Sequence, residues 1–348
     1  MSAMHRSCVN NLKYMNLLEV NDLKMHFPIH GGVTARVIGA VKAVDGISLK
    51  INKGETLGIV GESGCGKSTL GKAIVRLTNP TAGSIHINGR DITHMSQRAI
   101  RPLRKQFQMM FQDPAESLNP RMSVGEIIAE PLLIQKVGTP IWRRERAIEL
   151  LERVGMAASA VDKFSFEFSG GQRQRIGVAR AIALQPELLV LDEPVSALDV
   201  SVQSQVLNLL MELQDEMGIA YMFIAHDLAV VKHISDNVAV MYLGKVVELA
   251  DADIIYKDPK HAYTKALISA IPVPDPTAVK NSMILEGEIP SPINPPKGSA
   301  FGHRLNHPKY DETIGLDMSL VEIEPGHWVA ADPCCLSEED YSKARNLI

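Results

Sequence analysis

The sequence predicts an α/β fold with a mixed β-sheet core, an antiparallel β subdomain, a helical insertion and a loop-rich C-terminal extension. Three observations carry this expectation. A short apolar strand pattern at 55–60 runs through the glycine-rich stretch Gly61-Glu62-Ser63-Gly64-Cys65-Gly66-Lys67-Ser68-Thr69 straight into a helical pattern. A second apolar run at 188–191 ends on the acidic pair Asp192-Glu193. Past residue 258 the composition changes, with prolines such as Pro259, Pro272, Pro274, Pro290 and Pro295 interrupting the chain. The expected organisation is a tail at 1–16, a main domain at 17–257 with a helical segment at about 113–168, and an extension at 258–348.

Composition narrows the class. The chain has 348 residues, 45% hydrophobic and 22% charged, as ordinary globular proteins do. A formal net charge of -4 offers no global attraction to nucleic acid. No apolar run approaches the roughly 18 residues that span a bilayer, and residues 1–16 lack the apolar centre of a secretory signal. The four cysteines, Cys8, Cys65, Cys334 and Cys335, have neither disulfide-framework nor zinc-site spacing, so a reducing compartment is expected.

The elements follow in order. Residues 17–60 alternate or run apolar, as strands do. Phe27, placed at a strand end before Pro28, has two open roles: a half-buried strand aromatic, or a platform on which a purine stacks. Alternation at 83–92 with Asn88-Gly89 predicts a hairpin. The basic run at 98–105 reads as a solvated helix face. The pattern from 123 to 155 is helical, with Ala147, Leu150, Leu151 and Val154 on one face and charges opposite. A helix is expected at 173–184, another from 199 to about 216, strands at 221–225, 238–242 and 245–249, and short strands at 301–304 and 327–330.

The motifs point to phosphate chemistry. Glycines let successive N–H groups converge, and the helix start adds its positive dipole end. Lys67 then suits the β- and γ-phosphates and the Ser68 hydroxyl suits Mg²⁺. Gln112, just after an apolar strand, suits Mg²⁺, the attacking water, or a reporter of nucleotide state. Asp192 is placed to hold Mg²⁺ through water, and Glu193 to act as general base. His226 ends a further strand and is either structural or a hydrogen-bond donor to the γ-phosphate. Ser169-Gly170-Gly171-Gln172 opens a second helix, hence a second phosphate-binding start. One nucleotide has little use for two, so this one is expected to face the nucleotide of a neighbouring chain. Asp199 reads as a helix cap or an inter-chain contact.

In order, these residues resemble the Walker A loop, Q-loop, signature, Walker B with catalytic glutamate, D-loop and switch histidine of the ABC-type P-loop ATPases. Phe27 falls where that family places its adenine-stacking aromatic. Phe168 stands where leucine is commonest, which leaves the Ser-Gly-Gly turn intact. The stretch His261-Ala262-Tyr263-Thr264-Lys265-Ala266-Leu267, Ile271-Pro272-Val273-Pro274-Asp275-Pro276 and residues 287–296 are similar to the extension of dipeptide and oligopeptide importer ATPases.

The resemblance implies ATP and Mg²⁺ as ligands, and ATP hydrolysis coupled to peptide import. It implies a second ATPase subunit forming a heterodimer, two membrane permease subunits and an extracytoplasmic substrate-binding protein. It places the chain peripherally on the cytoplasmic face of the inner membrane, with no nucleic-acid partner. Nickel and glutathione importers carry similar ATPases. A non-transport ABC ATPase fits less well, because one motif set is present and Lys67 and Ser169 lie only 102 residues apart. The family's extension often carries cysteines for an iron–sulfur cluster. Here Ser299, Leu305 and Ala331 occupy expected cysteine positions and Cys334-Cys335 are adjacent, so no cluster is expected.

Overall fold

The computed structural model describes residues 16–31, 36–112, 117–271 and 289–348. The tail before residue 16, Gly32, Asp113-Pro114, the stretch Pro272 to Pro276, and Gly287-Glu288 lie outside these residues. Two sheets organise the chain. The first is antiparallel, in the order β2-β1-β4-β5. Its long hairpin joins β1 (Asn16–Gly31) to β2 (Arg36–Asn52), and β4 (Ala82–Ile87) turns at Asn88-Gly89 into β5 (Arg90–Asp91). Asn88 and Gly89 both have positive φ, as this tight hairpin requires. β1 does not end at Phe27 as its sequence suggests. It continues through Pro28, because β4 pairs with β1 only from Leu18 to Lys24. Beyond that point β1 has one neighbour, so a missing proline N–H is tolerated.

The second sheet has the order β11-β12-β10-β9-β3-β8-β7-β6. Five strands in it are parallel neighbours: β6 (Phe107–Met110), β7 (Leu188–Asp192), β8 (Ala220–Ile224), β3 (Thr56–Val60) and β9 (Asn237–Tyr242). Every residue of β3, β7 and β8 is buried, which explains their uninterrupted apolar patterns. Because these strands are parallel, the segments leaving β3, β6, β7 and β8 emerge at one carboxyl edge. That edge is where α/β sheets bind ligands.

Helices cover the sheet. α1 (Lys67–Ile74) buries Leu70, Ala73 and Ile74. α2 (Gln97–Ile100) leads into the basic run, where Arg104 does more than face solvent. Its guanidinium donates to the Val75 and Arg76 carbonyls at 3.2 Å each, a cation at the end of α1. α3 (Val124–Ile134) starts with a Ser123/Glu126 capping box, and α4 (Pro140–Arg153) starts with Thr139 as cap and Pro140 in its first turn. Ala147, Leu150, Leu151 and Val154 are all at 0% exposure and share a core with Val124, Ile128 and Ile176. Ile176 lies on α5 (Gly170–Ile182), which begins at the signature glycines rather than at Arg173. α6 (Val200–Met217) and α7 (Leu228–Ile234) follow β7 and β8.

The chain after β10 (Lys245–Asp251) and α8 (Ala252–Lys257) sends Tyr263, Phe301 and Cys334 into the main core and gathers Val321, Ala331 and Ala344 into a small cluster of its own. β12 (His327–Ala330) pairs with β10 through Glu248↔Val329 and Leu249↔Trp328, and β11 (Leu320–Glu324) extends the edge. Tyr263 of α9 (Ala262–Ser269) and Phe301 pack on Tyr242 of β9, with ring centroids 4.6 and 5.5 Å from the Tyr242 ring. Residues 301–304, expected as a strand, form α10 (Ala300–Arg304). Ser299 caps it by accepting the Gly302 N–H at 2.8 Å. Four residues are too few to show a periodicity, and the cap decides for a helix. α11 (Glu338–Arg345) closes the chain.

Two buried polar groups fasten this region. Glu248, at 0% exposure, accepts the Lys260 and His261 N–H groups at 2.7 and 3.0 Å and meets His327 Nε2 at 2.8 Å. Burial alone would raise its pKa. The His327 hydrogen bond and the two backbone donors outweigh burial and hold it below the ordinary carboxylate value. Nearby, one donor atom each of His261, Asp332 and Cys335 lies within 4.8 Å of the others. His261 Nδ1 accepts the Tyr263 N–H at 3.1 Å, so the neutral ring carries its proton on Nε2. That tautomer suits a hydrogen-bonded core, in which Ser299 also donates to Asp332 at 2.5 Å.

Candidate active site

The glycine-rich loop takes its shape from close approach. Gly66, the residue before α1, has φ of 107°, and a Cβ there would run into the Ala43 carbonyl. A Cβ at Gly61 would meet the Met241 carbonyl. The turn between β9 and β10 braces the loop, with the Gly244 N–H donating to the Cys65 carbonyl at 3.0 Å. Cys65 is buried and its thiol pKa is raised by that burial. Ser63 and Gly64 are exposed and Thr69 is half-buried on α1. Lys67 is only 4% exposed, and its ammonium donates to the Gly61 and Glu62 carbonyls at 2.6 and 3.0 Å.

From the loop the site extends across the sheet edge. Ser68 Oγ donates to Asp192 Oδ1 at 2.8 Å. Burial pushes the Asp192 carboxyl up, and the Ser68 hydrogen bond and the charge of Lys72 only partly offset this. Gln112 Nε2 donates to Glu193 Oε2 at 2.8 Å, and His226 Nδ1 lies 3.4 Å from the same oxygen. Glu193 has φ of 48°, a left-handed conformation unusual for a non-glycine residue. Its N–H donates to the Ile224 carbonyl of β8 at 2.9 Å and its carbonyl accepts Ser196 Oγ at 3.2 Å, so both neighbours hold the strained residue. A cleft of about 630 Å³ opens here, lined by Ser68, Lys72, Phe111, Gln112, Ser117, Asp192, Ser196 and Ala197.

The structure thus brings together Lys67, Ser68, Gln112, Asp192, Glu193 and His226 around one edge. Ser68 Oγ, Asp192 Oδ1 and the Gln112 amide oxygen are hard oxygen donors, the kind Mg²⁺ takes. Ser169, Gly170 and Gln172 lie elsewhere, exposed at the start of α5. Ser169 and Gln172 cap each other reciprocally. A Cβ on Gly171 would strike Val202 of α6, so this glycine is also a packing requirement. Asp199 caps α6 by accepting the Val202 N–H at 3.0 Å. Phe27 lies within β1 opposite Val41, 40% exposed.

Four residues of the site were missed from the sequence. Lys72 lies one helical turn beyond Ser68, a spacing that could have flagged it. Phe111 was read only as strand. Tyr263 and Arg304, which touch Glu62 of the loop, gave no local signal.

Comparison with known proteins gives the family. A family model for ABC transporters matches residues 44–196, and a model for the oligopeptide/dipeptide transporter C-terminal region matches residues 247–307. The oligopeptide transport ATP-binding protein AppF of Bacillus subtilis is 51% identical over 319 residues, spanning 90% of this chain and 96% of that protein. OppF of Escherichia coli is 53% identical over 323 residues, spanning 89% and 97%. The dimeric ATP-binding cassette MJ0796, solved in a post-hydrolysis state with ADP and Pi, aligns with a TM-score of 0.61 and 25% identity, covering 68% of this chain and 98% of that one. The chain belongs to the ABC transporter ATPases, in the family of oligopeptide transport ATP-binding proteins.

Proposed function

We propose that this chain is one of two ATPase subunits whose ATP-driven closure powers peptide import through a pair of membrane permease subunits. The gathering of Lys67, Ser68, Gln112, Asp192, Glu193 and His226 on one sheet edge carries this reading. The start of α5 supports a composite site, because Ser169, Gly170 and Gln172 are exposed at a helix N-terminus, where a second chain's nucleotide can approach. MJ0796 is a precedent for a cassette that is dimeric with ADP and Pi bound.

In this reading residues 61–69 wrap the β- and γ-phosphates of ATP, and Phe27 stacks on the adenine. Lys67 leaves the Gly61 and Glu62 carbonyls for the phosphate oxygens. Ser68 and Asp192, with Gln112, would hold Mg²⁺, which would supply charge neutralisation to the phosphates. Glu193 orients the attacking water and takes its proton, and Gln112 and His226 keep that carboxylate aimed. His226 also contacts the γ-phosphate. Ser169, Gly170, Gly171 and Gln172 serve the partner ATPase's nucleotide, with Asp199 beside that junction. The helical segment and the Gln112 region dock the permeases. Exposed Leu133, Ile134, Ile141 and Trp142 on α3 and α4 support this use. The partner ATPase is a related, non-identical chain. The assembly sits on the cytoplasmic face of the membrane and receives peptides from an extracytoplasmic binding protein.

The test compares phosphate release by the full chain alone with release by the assembled transporter, at equal MgATP. The reading expects nucleotide binding in both and substantial turnover only on assembly. Equal turnover per chain in both would overturn the composite site.

A further inference from the structure

We infer that the C-terminal extension sets the ATP affinity of the phosphate loop through a two-point hold on Glu62 by Tyr263 and Arg304. The inference rests on the reading of residues 61–69 as the phosphate site. Glu62 is gripped at each of its polar groups. Its N–H donates to the Tyr263 hydroxyl at 2.9 Å. Its carboxylate pairs with Arg304 Nη1 at 2.7 Å. Its carbonyl accepts the Lys67 ammonium at 3.0 Å. Two of these three partners belong to the extension, 201 and 242 residues away in sequence.

The hold is built rather than incidental. Tyr263 is fully buried, and the Arg304 side chain is 7% exposed against 23% for Glu62. Tyr263 is fixed by the Tyr242 and Phe301 rings, at 4.6 and 5.2 Å between centroids. Arg304 closes α10, whose capping Ser299 is tied to the buried Asp332. Burial of this kind leaves an ion pair poorly screened by salt.

Two consequences follow for the nucleotide. The hold fixes the loop residue whose carbonyl Lys67 must release, so loop shape is prepared before phosphates enter. Arg304 also neutralises a carboxylate carried by a residue of the loop itself, a charge that would otherwise add to the repulsion of a triphosphate bound there. Arg304 and Tyr263 are therefore positioning residues, acting on ATP through Glu62. The charge effect is asymmetric. Losing Arg304 alone exposes the Glu62 charge, whereas losing both charges does not.

The experiment titrates a fluorescent ATP analogue with Mg²⁺ into the full chain and its variants. Arg304→Ala should weaken binding about tenfold, within the usual range of coupling between sites. Adding Glu62→Gln to Arg304→Ala should recover most of that loss. Tyr263→Phe, which keeps the ring packing and removes only the hydroxyl, should weaken binding by a smaller factor. Unchanged affinity in Arg304→Ala, or a double variant no better than the single, would overturn the inference. If Arg304→Ala does not fold, as judged by circular dichroism, Tyr263→Phe decides, and parental affinity there would overturn it. Lys67→Ala separates the underlying reading. Normal binding in that variant would refute the phosphate site itself, whereas its loss together with an unchanged Arg304→Ala would refute only the hold.

Discussion

Replacing Glu248 with leucine should remove about 3 kcal/mol of folding stability, because buried donors that lose their acceptor cost roughly 1–3 kcal/mol each. The magnitude follows from what is left behind. The N–H groups of Lys260 and His261 and the Nε2 of His327 all lose their acceptor inside the core. Each orphaned donor costs roughly 1–3 kcal/mol, offset in part by removing a buried carboxylate. Trp328, paired with Leu249 next to this site, is a natural reporter. With Trp142→Phe it becomes the single tryptophan, and its fluorescence follows urea unfolding of the extension. The pH dependence provides a second reading. The folded carboxyl lies below its ordinary value near 4.5. The unfolded state therefore binds a proton more readily, so Glu248's contribution is full above about pH 4.5 and drains away as pH falls through the folded value. Glu248→Leu should flatten the acid limb of the stability curve. A loss under about 1 kcal/mol, less than a single orphaned buried donor costs, or an unchanged acid limb would refute the reasoning.

Other consequences are simpler. Gly66→Ala should abolish ATP binding, because its Cβ meets the Ala43 carbonyl at a positive φ; measurable affinity by fluorescence titration would contradict this. Gln112→Ala should reduce turnover of the assembled transporter by about tenfold or more, less than the roughly 10²–10⁴-fold that a general base contributes, because Glu193 itself remains; undiminished turnover would contradict this. Leu150→Ala, at a fully buried site of the helical segment, should cost about 2–5 kcal/mol in chemical denaturation.

Much of this protein was legible because its chemistry is written in contiguous stretches. The glycine loop, the acidic strand end and the signature turn each carry their own local geometry, and parallel strands bring their ends together without further instruction. The helical segment was legible from the spacing of Ala147, Leu150, Leu151 and Val154, all of which are buried. What stayed hidden depends on distant partners. Glu62 looks like one more loop residue until Tyr263 and Arg304 arrive from the extension. Residues 301–304 looked like a strand because the short run gives no periodicity to choose by, and the Ser299 cap settles it only in three dimensions. The extension read as a separate region because its prolines break the pattern, yet β12 joins the main sheet through two pairs that no local signal announces. Arg104 read as solvated charge, and only the fold shows the helix end it caps.

The most direct test of the account is phosphate release by the assembled transporter carrying Glu193→Gln in this chain, with MgATP affinity measured alongside. The account predicts unchanged nucleotide affinity and turnover at this chain's site reduced by about 100-fold or more, as expected for loss of a general base. Undiminished phosphate release with ATP still bound would contradict it.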